Sequence, residues 1–116
     1  RMRWYRNLYA GPNAALHVEK IRRRAAQGKL MPGIYYLTLP TVSGNLMDIF
    51  HNGFLSQELF AEHQRQDVIG VAEGKQEAFR LTAQIMEDVY RKTGGFDMEA
   101  CFREEDFQSD EGIQER

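Results

Sequence analysis

The chain has 116 residues, 42% hydrophobic, 11% aromatic and 28% charged, with a formal net charge of −2. That length suits one domain with a real core and is too short for two of ordinary size. The near-neutral balance excludes a broadly basic nucleic-acid protein, and no apolar run approaches the roughly 20 residues that a membrane-spanning helix needs.

In chain order, Asn7-Leu8-Tyr9-Ala10-Gly11 forms a short strand and turn. Gly11 then serves as a helix N-cap, Pro12 sits where a missing N–H costs nothing, and Ala14, Val18, Ile21 and Ala25 recur at helical spacing up to Gly28. Pro32 and Gly33 turn the chain into a strand from Ile34 to Leu39, apolar on both faces and stopped by Pro40. Such a strand is buried on both sides, or buried on one and paired with a partner on the other.

The stretch from Thr41 to Gln66 is long for a connection in a compact domain. Leu46, Ile49, Phe50 and Phe54 fit a short helix opened by Asn45, and Leu59 with Phe60 a further turn capped by Ser56; Leu46 to Phe50 fits an edge strand equally well. Val68 to Glu73 is the next strand, followed at Gly74 by a helix whose Ala78, Leu81, Ile85 and Val89 form one stripe, widened by Phe79, Met86 and Tyr90 and capped by Gly94. Phe96, Met98, Ala100 and Phe102 alternate with polar residues and predict a last, half-exposed antiparallel strand.

These elements predict an α+β fold: a ferredoxin-like split βαβ sandwich, two helices on one face of a three- to four-stranded, mainly antiparallel sheet, with a helical or irregular insertion at about 41–66. Residues 1–103 form the single domain, and the acidic tail 104–116 is expected to fray, apart from one turn docked through Phe107. Arg3, Trp4, Tyr5, Arg6 and Asn7 are polar for a central strand, so a three-stranded sheet with an irregular N-terminal arm is the alternative.

If both helices share one face, Tyr9, Ile34, Tyr36, Val68 and Ala72 lie on the other, too apolar to face water as one patch, and read as an interface. The competing arrangement folds the insertion back over them. Gly11, Gly74 and Lys75 mark helix N-termini where a small ligand would sit, and Ala72 to Gln76 invites a phosphate there, although the Gly11 turn lacks that motif. A nucleotide loop is disfavoured, because Gly70 and Gly74 are separated by three residues where the P-loop has four, and Gln76 stands where Ser or Thr must hold magnesium. Tight turns and close helix packing explain both glycines without a ligand.

Asp48, His51, Glu62 and His63 are the only cluster that resembles metal chemistry, and their spacing fits solvated loop residues better than a site. His17 reads as a helix-flank residue, and no nucleophile has a recognisable catalytic context. Lys20, Arg22, Arg23 and Arg24 form a solvated helix face or a docking surface for an acidic partner, including the chain's own tail. RNA is disfavoured, because Val68, Gly70 and Ala72 offer nothing on which a base would stack. One cysteine, Cys101, closes no internal disulfide, and Arg1 to Arg6 lead into a mixed segment, not a long apolar one, so a cytoplasmic protein without a secretory leader is expected.

The run Pro32-Gly33-Ile34-Tyr35-Tyr36-Leu37-Thr38-Leu39-Pro40, with Val68-Ile69-Gly70-Val71-Ala72-Glu73-Gly74 and the Glu77 to Tyr90 helix ending Lys92-Thr93-Gly94, resembles small proteins of anaerobic Gram-positive bacteria, a family with no assigned activity. The resemblance spans about Asn7 to Phe102, implies a bacterial cytosolic setting and carries over no catalytic or binding residue.

The leading expectation is therefore a non-catalytic domain, without cofactor, that self-associates as a homodimer through the open sheet face or the insertion. The alternative is a small-ligand sensor or binding module, with the ligand at a helix N-terminus or under the insertion. A hydrolase or metalloenzyme using Asp48, His51 and His63 is the third reading.

Overall fold

The computed structural model describes residues 2–29, 31–40, 44–51 and 66–109. Among them are five strands: β1 (Met2–Ala10), β2 (Ile34–Thr38), β3 (Asp48–His51), β4 (Gln66–Glu73) and β5 (Phe107–Ser109). A 3-10 turn at Ala14–His17 leads into helix α1 (Val18–Ala26); α2 spans Lys75–Thr93 and the short α3 spans Met98–Cys101. The strands form one sheet in the order β3-β2-β4-β1-β5.

The α+β class holds, but the arrangement differs from the expected sandwich. The central pair β1 and β4 is parallel, pairing Met2 with Gln66 and Trp4 with Val68 before the register shifts to Tyr9 opposite Gly70. The remaining pairs, β1 with β5, β2 with β3 and β2 with β4, are antiparallel.

The helices also lie on opposite faces of the sheet, not on one. Ile34, Tyr36, Val68, Val71 and Trp4 pack with Ala14 and Ile21 on the α1 side, whereas Leu37, Ile69 and Ala72 pack with Ala78, Leu81, Ile85 and Val89 on the α2 side. The cause is visible in β2 and β4, whose residues are apolar at odd and even positions alike; both sets leave water only when each face carries a helix. Each large side chain so buried contributes about 1.5–3 kcal/mol.

This arrangement corrects the interface assignment. Ile34, Tyr36, Val68 and Ala72 are 0–1% exposed inside the chain, so they present no open face. Tyr9 is half-buried on the α2 side, where its hydroxyl donates to Asp88 at 2.7 Å. Burial and that carboxylate push the Tyr9 phenol well above its ordinary range.

β1 is a true central strand despite its polar start, because its charges are answered by both neighbours. The Arg3 guanidinium donates to Asp67 of β4 at 2.9 and 3.1 Å and to Glu104 at 2.8 and 3.3 Å, and it lies over the Phe107 ring of β5. Trp4 is fully buried beneath α1, where Arg22 stacks on its ring. Arg22 is thus committed to the chain's own core edge.

Three further expectations change. Phe96 to Phe102 is not a strand: Asp97 accepts the Ala100 N–H and opens α3, which buries Met98 and Phe102, four residues apart, while Phe96 and Ala100 stay exposed. The buried period is four, not two, and the short alternating run does not distinguish them. The turn expected at Phe107 is there, as the 3-10 turn Glu104–Asp106 with Phe107 packed on the core, and what the expectation lacked is that Phe107–Ser109 pair with β1. Residues 110–116 lie outside the described residues. In the insertion, the edge-strand alternative holds as β3 beside β2. Phe54, Ser56, Leu59 and Phe60 lie outside the described residues.

Candidate functional site

Parallel neighbours β1 and β4 leave the sheet at the same end, and their chains then turn to opposite faces, β1 into α1 and β4 into α2. Such a divergence opens a crevice at the carboxyl ends of the strands, where open sheets with parallel strands bind ligands. A cavity of about 380 Å³ lies there, lined by Gly11, Pro12 and Asn13 on one side and by Glu73, Gly74, Lys75, Gln76, Glu77, Arg80, Leu81 and Gln84 on the other. The three residues assigned to a ligand from sequence, Gly11, Gly74 and Lys75, come together in its wall.

Both turns are built for close approach. Gly11 N–H donates to Val71 at 3.0 Å and its carbonyl accepts from Ala15 at 2.8 Å, while the 3-10 turn itself starts at Asn13, whose carbonyl accepts from Leu16 at 3.2 Å. Gly74 adopts φ +92 and ψ 150, a conformation open to glycine, and donates to Gly33 at 2.7 Å. Its carbonyl accepts the Ala78 N–H at 3.0 Å and begins α2.

Glu77 locks the two turns together. Its carboxylate accepts the N–H groups of Asn13 at 2.9 Å, Ala14 at 3.2 Å and Glu73 at 2.7 Å, gathering donors that the two elements leave without backbone partners. Burial raises the carboxyl, but the Glu73, Asn13 and Ala14 amides outweigh it and hold the group below its ordinary value. Sequence reasoning missed this residue. Its signal was its place, third in the helix, from which a glutamate reaches back to the N-terminal backbone.

The second carboxylate is also engaged, since Glu73 Oε1 lies 2.9 Å from His17 Nε2. Among the described residues, Lys75 and Arg80 have no carboxylate partner. The crevice therefore presents an available ammonium and guanidinium, the amides of Asn13, Gln76 and Gln84, and the positive end of a nineteen-residue helix.

Only half of the candidate metal cluster, Asp48 and His51, lies among the described residues. Among the described residues no three His, Cys, Asp or Glu side chains converge on one point. Asp48 and His51 sit on β3, with the His51 ring against Tyr35 at 5.2 Å, while Glu62 and His63 lie outside the described residues. Among the described residues no helix is long and apolar enough to cross a membrane.

Comparison with protein-family models, with curated proteins and with solved structures finds no match to this chain.

Proposed function

We propose that the protein is a binding module for a small anionic molecule, held in the crevice between the Gly11 and Gly74 turns. The observation that carries this reading is the state of the charges there: the two carboxylates in the wall are engaged within the chain, and Lys75, the first residue of α2, has no carboxylate partner among the described residues. An anionic group placed beside Lys75 meets its ammonium and the first N–H groups of α2, which have no intrahelical acceptor. A volume of about 380 Å³ admits a metabolite-sized ligand. The amides of Asn13, Gln76 and Gln84 supply neutral hydrogen bonds to the rest of it. Binding is the whole of this activity, because Glu77 is tied to three amides and is not poised to exchange a proton with a ligand.

Thermal melting against inorganic phosphate, nucleoside phosphates, sugar phosphates and dicarboxylates tests the reading. At least one anion is expected to raise the melting temperature, by linkage to the folded state. Lys75→Gln abolishes that rise, whereas Lys92→Gln at the far end of the helix preserves it. No stabilisation by any anion, or full stabilisation of Lys75→Gln, overturns it.

A further inference from the structure

The outer side of α2 carries a second apolar stripe besides the one that packs on the sheet. Phe79, Ala83, Met86 and Tyr90 recur at four, three and four residues, which stacks them within a sector of about 60° on the helix, with Met86, half-buried against the core, on its inner edge. Phe79 is 63% exposed and Tyr90 56%, and Phe96, 51% exposed, extends the stripe by packing on Tyr90 with ring centroids 5.8 Å apart. The crevice opens on an adjoining side of the helix, toward Glu77 and Gln84, and Arg80 stands on the border between the two.

We infer that this stripe is the interface of a homodimer in which α2 packs antiparallel against α2 of a second copy. The stripe is complementary to itself under a twofold axis between Gln84 and Ile85. Phe79 then faces the second copy's Tyr90, ring against ring, and Ala83 faces its Met86, small against large. Arg80 and Glu87 both border the stripe on its solvent side, and the same twofold brings each near the other's counterpart, giving two symmetric ion pairs. Glu87 is free to turn there, since its own contact, Arg91, is exposed and 4.0 Å away. A foreign partner would need neither the alternation of sizes nor the mirrored charges; a second copy of this chain supplies both. Arg80, without a carboxylate partner among the described residues, thereby acquires one, and Lys75 remains for the crevice.

Sedimentation of the full chain from about 1 to about 100 µM tests the interface. The expected mass is twice 13.5 kDa. Ala83→Glu, at an exposed helical position that keeps the fold, raises the dissociation constant by about 100-fold or more by placing charge in the seam. Arg80→Glu weakens the dimer by about tenfold, and Arg80→Glu with Glu87→Arg restores it. Lys75→Gln leaves it unchanged, which separates this interface from the ligand site. A mass of 13.5 kDa across the range overturns the inference. So does a dimer indifferent to Ala83→Glu, or a charge swap without recovery.

Discussion

Gly11 and Glu77 approach so closely that a β-carbon on residue 11 would overlap the Glu77 side chain. The contact joins the turn that leads from β1 to α1 with the first turn of α2, the helix of the opposite face, and so closes the floor of the crevice. The glycine is required here by space, not by backbone angle.

Gly11→Ala is therefore expected to destabilise the fold by about 2–3 kcal/mol, the cost of overpacking a site whose neighbour is held by three hydrogen bonds. In a Glu77→Ala background most of that cost disappears. Urea denaturation of the two single variants and the double variant measures the coupling.

Glu77→Gln removes the charge that the three amides bind, and about 2–4 kcal/mol of stability is expected to go with it at neutral pH. The amides hold the carboxyl below its ordinary 4.5, so over the interval between that value and the folded one the folded protein carries fewer protons than the unfolded chain. The stabilisation is complete above the unfolded value and is lost as pH falls through the folded one. Melting curves from neutral pH downward should show wild type and Glu77→Gln converging in acid.

Thr38 is fully buried and its hydroxyl has no hydrogen-bond partner among the described residues. Thr38→Val exchanges that hydroxyl for a methyl group of similar size, and it is expected to stabilise the protein by about 1 kcal/mol. Equilibrium unfolding in urea reads the change.

Arg3 bridges Asp67 of β4 and Glu104 ahead of β5, but the two acids are not equivalent: their side chains are 15% and 69% exposed. Asp67→Asn should cost about 1–2 kcal/mol and Glu104→Gln about 0.5 kcal/mol or less, because solvent screens the outer pair. The same denaturation experiment ranks them.

Much of the core was legible in the residues themselves. The stripe Ala78, Leu81, Ile85 and Val89 is the buried face of α2, Gly94 caps it in the left-handed conformation, and Ile34 to Thr38 is a strand buried on both sides. The side of the sheet taken by each helix was not legible, because a strand apolar on both faces is satisfied by two helices on two faces or by one face and a partner. The buried Trp4 decides it only once β1 is known to lie beside β4. The glycine turns at Gly11 and Gly74 were likewise visible one at a time. Their meeting depends on a parallel pairing between residues more than sixty positions apart, for which local pattern carries no signal.

The most direct measurement of the central claim is amide chemical-shift mapping of the full chain during titration with the most stabilising anion. The account predicts that the largest shifts fall on Gly11, Asn13, Gly74, Lys75 and Gln76, and that Lys75→Gln removes them together. Shifts centred away from both glycine turns, or no saturable shift at all, would contradict it.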